Sequence, residues 1–92
     1  MFLYTFIMTY LEGIYISQVY AEGEIQAMRK WIRKLDVKSI EGFTEIDRQK
    51  IIADDFSDET PVLIKECSNV WCFGVRTNKE LTLINFVKTE TA

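Results

Sequence analysis

Apolar and aromatic residues crowd the start of the chain in two runs, Phe2 to Leu11 and Ile14 to Tyr20, separated by Glu12-Gly13. Both runs are rich in Phe, Tyr, Ile, Val and Thr, residues that suit a pleated, half-covered strand. The Glu-Gly pair between them supplies a tight reversal, so the spacing predicts a β-hairpin. In the first run Phe2, Tyr4, Phe6, Met8 and Tyr10 share one face, and Leu3, Thr5, Ile7, Thr9 and Leu11 share the other. In the second, Ile14, Ile16 and Tyr20 oppose Tyr15 and Val19. Strands apolar on both faces belong inside a sheet, and both are expected there.

The periodicity then changes. Ile25, Met28, Ile32 and Leu35 recur at helical spacing, with Trp31 widening the stripe, which predicts a helix from about Glu22–Glu24 to Leu35. Glu22 and Glu24 near its start and Arg33 and Lys34 near its end suit the helix dipole. Arg29, Lys30, Arg33 and Lys34 form a basic flank, read as a solvated outer face. After a connection turning at Gly42, Thr44 and Asp47 resemble a capping pair for a second helix over Glu45 to Asp55, with Ile46, Ile51, Ile52 and Phe56 as its apolar contacts.

Beyond Pro61, the only proline, three strands are expected: Val62 to Glu66, Val70 to Arg76 and Leu81 to Lys88, joined by reversals at Ser68-Asn69 and Asn78-Lys79. Residues past Thr89 read as a frayed tail. The order β-β-α-α-β-β-β predicts a single α+β domain over residues 1–92, an antiparallel sheet of about five strands with both helices on one face. With helices on one side only, some of Tyr4, Tyr10, Tyr15, Trp71 and Phe86 are expected to line the uncovered side.

Composition narrows the function. The 92 residues hold 11 basic and 14 acidic side chains, for a net charge of −3. A duplex-binding module carries a positive face, so nucleic acid is not an expected partner. The acidity gathers at Asp54, Asp55, Asp58 and Glu59, which reads either as a solvated loop or as an electrostatic docking patch for a basic protein. The N-terminal run has no basic leader and is cut by Glu12-Gly13, so neither a signal peptide nor a membrane span is expected. Two cysteines, Cys67 and Cys72, are too few for a secreted disulfide scaffold, and the expected compartment is the cytoplasm.

Histidine is absent, which removes the commonest general base and the Ser-His and Cys-His nucleophile pairs. Two cysteines without histidine do not make a structural zinc site. The acidic loop lacks the alternating ligands and central glycine of a calcium loop. Gly13, Gly23, Gly42 and Gly74 are isolated and cradle no phosphate motif; Gly74, inside a strand, suggests a bulge. No catalytic residue, metal or cofactor is therefore expected.

The stretch Tyr4-Thr5-Phe6-Ile7 through Glu12-Gly13 to Tyr15-Ile16-Ser17, with the helix that follows, resembles the start of HicB-type antitoxins. The likeness covers about the first third of the chain. The tandem C-terminal strands and the lack of a DNA-binding tail depart from that pattern. More broadly the chain is similar to small acidic α+β bacterial families and to immunity proteins against secreted toxins. Neither resemblance carries a functional residue over; the missing catalytic constellations, the acidic loop and the surplus sheet aromatics point to a protein that acts by contact, of the immunity or antitoxin-like inhibitor kind. The expectation is a non-catalytic interaction protein of that kind. The alternatives are self-association, through the uncovered face or the final strand's edge, and a small-molecule binder with an aromatic pocket.

Overall fold

A computed structural model describes residues 1–56 and 61–91. The order is β1 (Phe2–Tyr10), β2 (Gly13–Ala21), α1 (Glu24–Lys34), α2 (Glu45–Asp54), β3 (Val62–Leu63), β4 (Val70–Arg76) and β5 (Leu81–Thr91), with a 3-10 turn at Val37–Ser39 between the helices. All five strands form one antiparallel sheet in the order β2-β1-β5-β4-β3. The α+β architecture expected from the residue pattern is the one observed.

Burial alternates along β1 because successive side chains point to opposite faces. Tyr4, Phe6, Met8 and Tyr10 are all at most 2% exposed. The ladder pairs Phe6 with Phe86 and Met8 with Ile84, which brings β5's large side chains onto the same face. Helix α1 lays Ala27, Met28, Trp31 and Ile32 on that layer, and Phe73 and Val75 of β4 complete it. Trp31 stacks on Phe6 at 5.6 Å, and Phe6 stacks on Phe86 at 4.5 Å. The core is thus one layer of rings between helices and sheet.

The helices are tied to each other by charge as well as by apolar contact. Arg29 of α1 forms a two-pronged ion pair with Asp55, its Nε and Nη2 each 2.9 Å from a carboxylate oxygen. Asp55 ends α2 in the left-handed region at φ +50°, donating its N–H to the carbonyls of Ile51 and Ile52. Arg48 of α2 donates to the carbonyls of Arg33 and Leu35, which the end of α1 leaves without helical partners. Thr44 and Asp47 form the full reciprocal capping box at the start of α2. Asp thus serves in the position where Glu or Gln is usual.

Several details differ from the sequence-based expectations. Strand β2 is an edge strand, and β5 is the middle of the sheet, so the final strand has no free edge to offer. The two-residue loop is Leu11-Glu12, with Leu11 at φ +53°; Gly13 already pairs with Tyr10. A Cβ on Gly13 would stand 2.4 Å from the Tyr15 hydroxyl, so this glycine makes room for a ring rather than for a turn. The β4–β5 register runs unbroken through Gly74, and the sheet's irregularity falls between Leu3 and Tyr4 instead. Strand β3 keeps only two residues, and β5 continues past Thr89, pairing Thr91 with Phe2. Ile25 and Ile46, expected as helix contacts, are 43% and 67% exposed.

Candidate interaction surface

The aromatic residues expected on the uncovered face are not there. Tyr4, Tyr10 and Phe86 are buried in the core; Trp71 and Tyr15 are partly buried and pack against it. The ring contacts explain the placement. Trp71 stacks on Phe86 at 5.2 Å, Tyr4 meets both at 6.0 Å, and Tyr10 meets Phe43 edge-on at 5.5 Å. Burial, with the negative charge of Glu24 added, raises the Tyr4 hydroxyl above its ordinary pKa. The Tyr10 hydroxyl lies 2.8 Å from that of Thr77. These rings hold the fold together.

The acidic cluster is divided. Asp58 and Glu59 lie outside the described residues. Asp55 is committed to Arg29, whose hydrogen bonds hold the carboxyl below its usual pKa and raise the guanidinium in turn. Its two oxygens are already used in joining α1 to α2. Asp54 lines a surface hollow of about 440 Å³ with Lys50, Phe56 and Arg76, so it stands among cations rather than in a uniformly negative patch. A second hollow, about 610 Å³, opens at the hairpin end, where Tyr10 and Tyr15 stand with Glu12, Glu41 and Glu80. Among the described residues no group of three His, Cys, Asp or Glu could hold a metal ion. Cys67 is exposed, and Cys72 is half-buried rather than fully buried as a core thiol would be.

What the helices leave uncovered is aliphatic. Pairing across the antiparallel ladders puts Ile14, Ile16, Gln18 and Tyr20 of β2 on one face with Thr9, Ile7, Thr5 and Leu3 of β1. The same face continues through Asn85 and Val87 of β5 and Cys72 of β4 to Val62 of β3. Ile14, Ile16, Leu83 and Val62 are 58–67% exposed, and Tyr20 and Leu81 about half. One row across the sheet reads Ile16, Ile7, Asn85, Cys72, Val62, with the Asn85 amide in the middle strand.

The polar groups of this face partly satisfy one another. Gln18 donates to the Thr5 hydroxyl at 2.9 Å, Thr5 to Thr89, and Thr89 to the Leu3 carbonyl. Among the described side chains the face carries one formal charge, Arg76 at its corner. The alternation of Ile14, Ile16 and Tyr20 against Tyr15 and Val19 was the signal in the residue pattern for this surface. Ring size drew attention to the opposite set. No family model, no curated protein and no solved structure matches this chain.

Proposed function

We propose that this protein is a non-catalytic interaction module whose contact surface is the open aliphatic face of its sheet. One observation carries the reading. The face gathers large apolar side chains that stay roughly half to two-thirds exposed, and among its described side chains only Arg76 is charged. A contiguous exposed apolar patch marks a contact site more often than a bare surface. A layer of helices on one side of a sheet leaves the other side as the natural seat for a second layer. An inhibitor of the antitoxin or immunity kind falls within this reading, with the contact made by Ile14, Ile16 and Leu83.

Site-specific photocrosslinking in the native host tests it. A benzophenone side chain at Leu83, on the open face, is expected to give a discrete protein adduct. The same group at Ile46, an isolated exposed residue on α2, is expected to give none. Equal silence at Leu83, or equal labelling at both positions, overturns the reading.

A further inference from the structure

Resting on that contact surface, we propose that its occupant is a second copy of this chain, packed face to face about a two-fold axis passing close to Asn85. Three observations point to this partner. First, the size is right. The four long strands span seven to eleven residues each. At a strand spacing of about 4.8 Å and a rise of about 3.3 Å per residue they present roughly 500 Å² in plan. Two such faces bury about 1,000 Å² before side-chain relief is counted, the size at which specific interfaces begin.

Second, the charge is right. Each copy carries a net charge of −3, while the one formal charge among the described side chains of this face is Arg76, at its corner. A basic partner finds no described carboxylate there to pair with. Third, the polar residues fit a symmetric seat. Gln18, Thr5 and Thr89 are bonded to one another and tolerate the loss of water. Asn85 lies near the middle of the middle strand, between Ile7 and Cys72 in the row. An amide carries both donor and acceptor, so on a two-fold axis it pairs with its own symmetry mate.

Sedimentation equilibrium of the full chain from 5 µM to 1 mM tests the proposal. The mass is expected to rise from 10.8 kDa toward twice that value. Asn85→Asp sets two carboxylates against each other; it is expected to weaken the dimer at least tenfold at pH 7, with recovery near pH 4 as the carboxyls protonate. Leu83→Lys is expected to abolish it while leaving the circular dichroism spectrum unchanged. Gln18 pairs with Thr5 so that its backbone N–H points off the outer edge of β2, and amide hydrogen exchange there is expected to be as fast at 1 mM as in the dilute monomer. Protection of that N–H that grows with the dimer means edge-to-edge pairing and overturns the face-to-face arrangement. A dimer unaffected by Asn85→Asp overturns the placement of the axis. A monomer at 1 mM overturns the second copy as occupant. In that case an adduct from Leu83 to a different protein leaves the contact-surface reading standing, and no adduct overturns both.

Discussion

Phe86 and Leu83 lie on the same strand three residues apart and stand on opposite faces of the sheet. Phe86 is fully buried against Phe6, and Leu83 is 58% exposed. Truncating the first removes a ring that four other rings touch. Phe86→Ala is expected to cost about 3–5 kcal/mol, a large share of the stability of so small a domain. Leu83→Ala, measured in dilute monomer, is expected to stay within about 0.5 kcal/mol. Urea melts of the two variants give the comparison, and similar losses in both would contradict the assignment of faces.

This pair also shows how far the fold was readable from the residues. Alternation alone places Tyr4, Phe6, Met8 and Tyr10 together, because the side-chain period of a strand is two. It does not say which face the helices take when both faces are apolar. That choice follows from Trp31, Met28 and Ile32 meeting the ring layer, a contact between segments more than twenty residues apart in sequence. The insertion of β5 beside β1 is of the same kind. It makes β5 central and leaves β2 at the edge, against the expectation drawn from β2's two apolar faces. Capping at Thr44 was legible because it is local; the Arg29–Asp55 pair was not, because it is tertiary.

Arg48 links the helices through the carbonyls that end α1. Its side chain is 17% exposed, so its hydrogen bonds are partly shielded from water. Arg48→Ala is expected to cost about 1–2 kcal/mol and to lower Tm by roughly 5–15 °C. Arg48→Lys keeps the charge but not the fork and is expected to recover only part of that loss. If lysine restores full stability in thermal melts, charge alone explains the residue and the carbonyl contacts do not.

The same arginine sets an acid response. Hydrogen bonds from Arg48, then from Gln49, lower the Glu45 carboxyl from 4.5 to about 2, and Arg29 lowers Asp55 in the same direction. A carboxyl depressed in the folded state contributes stability that is complete above its unfolded pKa and lost as pH falls through the folded value. Tm is therefore expected to decline between about pH 4.5 and pH 2. Glu45→Gln should flatten the decline without removing it, since Asp55 remains. Both carboxylates are solvent-exposed, so high salt should shrink the difference between the two profiles. Profiles that coincide at low salt would rule Glu45 out as a source of the slope.

Gly23 and Gly42 separate two uses of the same residue. Gly42 sits at φ +84°, and a Cβ there would meet Leu11 Cδ1 at 2.7 Å. Its carbonyl also accepts from the Tyr10 hydroxyl at 3.4 Å, so a shift of this turn reaches the core. Gly42→Ala is expected to cost about 1–3 kcal/mol. Gly23, the residue before α1, is extended at φ −166°, a conformation any residue adopts, with open space where a Cβ would stand. It offers no side chain to the free N–H groups of the first turn. Gly23→Ser supplies one and reduces the freedom of the unfolded chain, for an expected gain of about 0.5–1 kcal/mol. Thermal melts of the two variants should move in opposite directions, and a fall in both would mean that Gly23 serves something other than the start of α1.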